Sequence, residues 1–358
     1  MGENRPSPSG RRLGTLVAAA IAAAALSGRV AAHSGSLGGS VTSATVPTWL
    51  TILTGGIVVG GSFLFTTLLT DHDAMRGVNW WRLALPTPAR VRRAAVPLVR
   101  ALSVGVLLVV LATGLLGPRE GVRNFALLVV WVGWWAGYTA TTYLVGDTWP
   151  ALNPWRAPLA ALRWVRTRRD DGDGGSGGDH GTGRDAASLF GTRAIPESWG
   201  RWPAVAGLVG LVWLEVVSPV GANPRLLAGV VAAYTLATVA GSLLVGAAWF
   251  ERVDPVSRVF AAYGRVAPLQ RDADGSLSLR LPGTALTEDP LPERPGEVAF
   301  VVALLWVTTY DGLVATPAWA AAVGPVVEAG VPALVVYAAV LLAGFALFLG
   351  VYRLAARR

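Results

Sequence analysis

Residues 332–352, PALVVYAAVLLAGFALFLGVY, run without one charged side chain, and Arg353 closes the run. A helix needs about 20 such residues to cross the hydrocarbon core of a bilayer. Reading outward, comparable stretches recur at 48–70, 98–117, 124–146, 202–218, 225–249 and 298–317. The pattern predicts an all-α integral membrane protein with about seven transmembrane helices. Composition agrees. Of the 358 residues 53% are hydrophobic and 15% charged, where soluble domains carry about a quarter charged.

Two absences narrow the chemistry. The chain has no Cys, which excludes disulfides, thiolate zinc and iron–sulfur centres and cysteine nucleophiles. All thirty basic residues are Arg. Without a Lys amine there is no retinal Schiff base, no pyridoxal-phosphate linkage and no Walker A phosphate loop. The formal charge of +8 does not point to nucleic acid, because the Arg flank apolar runs instead of interleaving with aromatics on a soluble face.

Residues 1–32 read as a signal segment. Arg5, Arg11 and Arg12 precede an apolar run from Leu13 to Leu26, and Val30-Ala31-Ala32 offers a cleavage site before His33. The remainder, 33–358, reads as one polytopic membrane domain, interrupted by a flexible Gly/Asp-rich cytoplasmic loop at 170–198. With the mature N-terminus outside, Arg29, Arg119, Arg123 and Arg225 face outward and the other 23 Arg of the mature region face the cytoplasm, as does the C-terminus. The predicted location is thus the cell membrane, with the lipid bilayer as the first partner. The loop contains formal matches to a dinucleotide fingerprint (Gly172, Gly174, Gly177) and a nucleophile elbow (Gly174, Ser176, Gly178). Both motifs need a strand before and a helix after, which this composition cannot supply.

An internal repeat stands out at a spacing of 100. Leu144-Val145-Gly146 with Trp149 matches Leu244-Val245-Gly246 with Trp249, and with one residue inserted Asn153-Pro154 matches Asp254-Pro255. Asn or Asp caps a helix whose first position is Pro, so a short helix is predicted to start at each. Trp155, Leu159 and Leu162, and in the second copy Val256, Val259, Phe260 and Tyr263, then share a face. These read as cytoplasmic interfacial helices of two parallel hairpin units. Gly56-x-x-x-Gly60 and Gly133-x-x-x-Gly137 suggest close helix contacts.

Trp134-Trp135-x-Gly137-Tyr138, leading to Gly146, Trp149 and Asn153-Pro154-Trp155-Arg156, resembles the fenitrothion hydrolase-like family of membrane proteins. So does Tyr310-Asp311-Gly312-Leu313-x-Ala315-Thr316-Pro317-x-Trp319, and an Ala32-His33 start to the mature chain fits as well. The resemblance implies organophosphate ester hydrolysis, without a catalytic motif that transfers to named residues. Metal hydrolases gather several His and carboxylates. This chain has three His, and His33, His72 and His180 are expected in three different places.

Asp311 is the strongest functional candidate. A carboxylate inside a span costs about 2.5–3.5 kcal/mol on insertion scales, so it is expected to face the bundle and find a partner. Glu215 lies at similar depth, and Tyr310 adjoins Asp311. His33, if it becomes the N-terminus, offers an amine and an imidazole, a nitrogen pair suited to copper. Tyr138, Thr139, Thr141, Thr142 and Tyr143 line a polar cavity or bond between helices. The function expected is handling of a small solute, proton or metal ion at an outward-facing acidic site of Glu215, Tyr310 and Asp311. A phosphotriester hydrolase and an accessory membrane subunit remain the alternatives.

Overall fold

The structure is a computed structural model, and it describes residues 48–68, 77, 80–85, 89–170, 194–272, 276–288 and 294–357. The leader 1–32, all three His and residues 171–193 of the Gly-rich loop lie outside the described residues. Asp170 ends a helix, and residues 194–196 lead into a 3-10 turn at Glu197–Trp199.

The elements follow in order as α1 (Thr48–Leu68), β1 (Arg82–Leu85), α2 (Ala89–Leu116) and α3 (125–145). A short α4 (Trp149–Leu152) and α5 (Ala157–Asp170) come next, then α6 (Trp202–Val217) and α7 (Pro224–Val245). The chain continues through α8 (Ala248–Arg252), α9 (Pro255–Gly264), β2 (Leu269–Arg271), β3 (Leu277–Arg280) and α10 (Ala285–Glu288). It closes with α11 (Glu297–Val314), α12 (Pro317–Glu328) and α13 (Ala333–Ala356). Each of the seven apolar stretches overlaps a helix, although 225–249 runs past the end of α7 into α8 and 298–317 past the end of α11. Among the described residues, four helices are long and apolar enough to cross a membrane: Ala94–Leu116, Pro224–Val245, Glu297–Val314 and Ala333–Ala356. Ile52–Phe63 and Trp202–Val217 are shorter apolar helices.

Local chemistry explains where helices begin. Asn223 accepts hydrogen bonds from the N–H groups of Arg225 and Leu226, with Pro224 at the first position, and Thr316 caps Trp319 ahead of α12. These satisfy donors that a helix leaves free at its start. The middle of α3, Leu128–Tyr138, is π-helical, a widened winding that is rare and frequent at functional sites.

Two apolar cores hold the bundle. The larger joins α6, α11 and α13 through Leu208, Val212, Phe300, Val307, Tyr310 and Leu341. The smaller gathers Trp149, Trp155, Phe250 and Phe260 beneath Trp134 and Tyr138. Lipid is as apolar as Leu, so packing fit decides such contacts. Glycines supply the fit, though not at the expected pairs. Gly56 and Gly60 have open space around them, and Gly133 and Gly137 meet only carbonyls of their own helix. Gly344 instead receives the Trp306 ring, whose indole N–H donates to the Leu341 carbonyl at 2.7 Å, and Gly241 receives Trp249.

The segments after α3 and α7 have the same local geometry. Gly146 and Gly246 end the two helices at φ 93° and 73°, each N–H donating four residues back. A short helix follows, then Asn153 or Asp254, whose side-chain oxygen accepts from the N–H of Trp155 or Val256. The two caps meet. Asn153 Nδ2 donates to Ser257 Oγ at 3.3 Å, and Ser257 donates to Asp254 Oδ2 at 2.5 Å.

Their setting differs from the interfacial reading. Trp155, Leu159, Val256, Val259 and Phe260 are buried by protein, as are Asn153 and Asp254. The Trp155 indole N–H donates to Thr235 Oγ1 at 2.9 Å, and the Tyr234 hydroxyl donates to Asp254. Tyr234 and Thr235 lie halfway along α7, so both motifs turn back into the bundle. Non-helical backbone at that level is tolerable because protein surrounds it.

A second departure from the all-α reading is a small antiparallel sheet of order β1-β3-β2, with Arg82 opposite Arg280 and Leu269 opposite Leu279. It ties the segment before α2 to the one before α11, at the Arg-rich end of the molecule.

Candidate functional site

The acid pair is positioned by α6 and α11. At their first turns the Arg201 guanidinium pairs with the Glu297 carboxylate, which also receives Arg258 at 3.2 Å. The two helices pack side by side in the same direction, which places Glu215 and Asp311 at the same end of the pair, near the last turns. Each is half-buried, and Asp311 lies within electrostatic reach of Glu215. Asp311 Oδ1 is buried with no hydrogen-bond partner. No hydrogen bond or ion pair reaches Glu215 among the described residues. Buried polar atoms are nearly always bonded, and two neighbouring carboxylates repel unless a proton or cation sits with them.

Tyr310, expected in this site, serves the core. Its side chain is wholly buried and its hydroxyl donates to the Tyr337 carbonyl on α13 at 2.9 Å. Trp319 meets its ring edge-on at 5.9 Å. One helix position separates it from Asp311, and that step of about 100° turns the two side chains toward different neighbours.

Glu215 also borders a cavity of about 640 Å³ between α2, α3, α6 and α7. Trp149, Trp155 and Val256 of the two returning segments form one end, and Val110, Val220 and Leu227 the other, near Glu215. Apart from Ser103 the wall is otherwise aliphatic and aromatic. The polar side chains of α3 do not open a wet channel here. Thr141 and Thr142 donate to the Tyr138 carbonyl, and the Tyr138 hydroxyl pairs with Thr148 Oγ1 at 2.9 Å.

The Arg-rich end carries chemistry that apolar patterning does not reveal. Arg201 donates to the Glu251 carbonyl as well as to Glu297. Burial, with Arg258 and Arg294 close by, pushes Arg201 down to about 9. Asp147 is pushed up to about 6 by desolvation, against the Trp149 N–H and the charges of Arg156 and Arg258, which favour its ionised form. The Arg156 guanidinium sits 4.4 Å from the centre of the Phe250 ring. The Asp147–Trp149 hydrogen bond of 3.1 Å was detectable only as a short Gly-Asp-Thr-Trp turn.

Among the described residues no group of three or more His, Cys, Asp or Glu side chains could hold a metal ion. His33, the expected copper ligand, lies outside the described residues. Compared with known proteins, the chain matches no family model, no curated protein and no solved structure. The site itself is therefore the guide to what the protein does.

Proposed function

We propose that the chain is a seven-span cell-membrane protein that handles a small solute, a proton or a metal ion at an outward-facing acidic site formed by Glu215 and Asp311. The observation that carries this reading is the buried, unpartnered Asp311 oxygen beside a second carboxylate without a bonded partner. An intramembrane acid is costly and is retained where a site needs its charge or its proton.

The orientation is supported by how the described loops sort. Arg82, Arg201, Arg252, Arg258, Arg265, Arg280 and Arg294 belong to the end that holds the sheet and the returning segments. Arg119, Arg123 and Arg225 belong to the other end, where Glu215 and Asp311 also lie. The positive-inside rule makes the first end cytoplasmic. The matching turns at Gly146 and Gly246 and the paired caps at Asn153 and Asp254 support two parallel copies of one hairpin unit.

The test uses purified chain reconstituted in proteoliposomes, with an entrapped pH dye and an entrapped divalent-metal dye. Wild-type protein is expected to move or bind protons or a metal, and Glu215→Gln and Asp311→Asn to lower that at least about tenfold. Both variants behaving as wild type would overturn the site. Turnover of a p-nitrophenyl phosphotriester by wild type, lost in Asp311→Asn, would favour instead the hydrolase that the family resemblance implies.

A further inference from the structure

We propose that the cavity between α2, α3, α6 and α7 binds a lipophilic organic cation, an amine or onium ion with a bulky apolar body, and that Glu215 is its counter-charge. The inference rests on the acidic-site reading in one respect, the freedom of Glu215, and adds the class of ligand.

Size comes first. A cavity of about 640 Å³ falls in the range of sites for whole small molecules and far exceeds what a proton or metal ion needs. Its wall follows α2 from Val99 to Val110, about 16 Å at the helical rise, so the guest is long or bulky.

Lining chemistry comes next. Among the described residues Glu215 is the only ionisable acid or base on the wall apart from two tyrosines, and every other polar side-chain group there except the Trp135 indole N–H is already engaged or shut away. Ser103 donates to the Val99 carbonyl at 3.0 Å, Tyr138 pairs with Thr148, and Tyr234 donates to Asp254. The Trp155 indole N–H is bonded to Thr235, and those of Trp131, Trp134 and Trp149 are buried away from any accessible surface. What the cavity offers a guest is hydrocarbon, aromatic surface, one indole N–H and one carboxylate.

That combination selects a cation. Aromatic faces attract positive charge and are indifferent or hostile to negative charge. A carboxylate in an apolar wall needs a charged partner that can itself be desolvated, which a delocalised or alkylated cation tolerates. An inorganic cation is a poor fit, because one carboxylate supplies too few oxygen ligands. A neutral lipid chain would leave Glu215 unpaired.

The experiment is equilibrium binding of radiolabelled tetraphenylphosphonium to the full chain in lipid nanodiscs, with tetraphenylborate, the same shape with opposite charge, as competitor. Saturable binding of the cation that the borate does not displace is expected, with affinity falling at least about tenfold in Glu215→Gln. Glu328→Gln, at an exposed acid on α12 that does not line the cavity, is expected to stay within about threefold. Equal binding of the two ions, or an unchanged affinity in a folded Glu215→Gln protein, would overturn the proposal in favour of a lipid-filled void. Should Glu215→Gln fail to fold, the charge-sign comparison on wild type still decides. The two readings fail separately. Small-ion movement lost in both acid variants, with phosphonium binding blind to Glu215, would sink only this inference. Phosphonium binding that tracks Glu215, with small-ion movement blind to both acids, would sink only the other.

Discussion

Replacing Asp254 with Ala should cost between about 2 and 4 kcal/mol of stability, and replacing it with Asn should cost about 1 kcal/mol. Asp254 is almost fully buried and accepts three hydrogen bonds, from the Val256 N–H at 3.2 Å, from Ser257 at 2.5 Å and from the Tyr234 hydroxyl. Losing the cap costs about 1 kcal/mol, and losing each hydroxyl donor to a charged acceptor about 1.5 kcal/mol, which sets the upper figure. Side-chain hydrogen bonds within membrane bundles average about 0.6 kcal/mol, which sets the lower. Asn keeps the oxygen that serves Val256 and Tyr234 and changes only the Ser257 contact. Ser257 must then rotate its hydroxyl, since Asn153 already donates to it. Thermal or denaturant unfolding of the purified chain in detergent measures the difference. If Ala and Asn variants lose equal stability, or if Ala costs under about 0.5 kcal/mol, the capped network does not hold the returning segment in place.

Glu297→Ala leaves two guanidiniums, Arg201 and Arg258, without their shared carboxylate, and a loss of about 3–5 kcal/mol is expected in the same unfolding assay. Gly146→Ala places a residue in a conformation that is essentially glycine's alone, with its Cβ 2.5 Å from the Leu269 carbonyl. A cost of about 1–3 kcal/mol follows, whereas Gly210→Ala, with open space at its Cβ, should be neutral or stabilising by up to about 1 kcal/mol. Asp147 binds its proton more tightly folded, at about 6, than in an unfolded chain. Wild type should therefore gain melting temperature as pH falls from 7 through 6 toward 4. Asp147→Asn should lack that gain, and parallel curves for the two proteins would contradict the assignment.

The features legible in the sequence are those set locally. Apolar runs such as 333–352 form helices, and Asn153-Pro154 and Asp254-Pro255 act as caps, because both effects are decided within a few residues. What escaped was set by distant partners. An apolar face such as Val256, Val259 and Phe260 reads the same whether lipid or Trp134 and Tyr138 cover it, so the return of these segments into the bundle was invisible. The strand Leu277–Arg280 is too short to show alternation above background, and its partners lie at 82–85 and 269–271. Asp311 and Glu215 stood out by cost alone. Tyr310 adjoins Asp311 in sequence, although one step along a helix points it into a different interior.

The most direct test of the central claim, an acidic site open to the outer face, exploits the absence of Cys. Single Cys residues placed at Glu215, Asp311 and Arg271 are treated in intact cells with a membrane-impermeant cationic thiol reagent, then again after permeabilisation. Modification of the Glu215→Cys and Asp311→Cys chains from outside, with Arg271→Cys reacting only after permeabilisation, is the predicted result. Reaction of the two acid positions only from the inside, or of Arg271→Cys in intact cells, would contradict it.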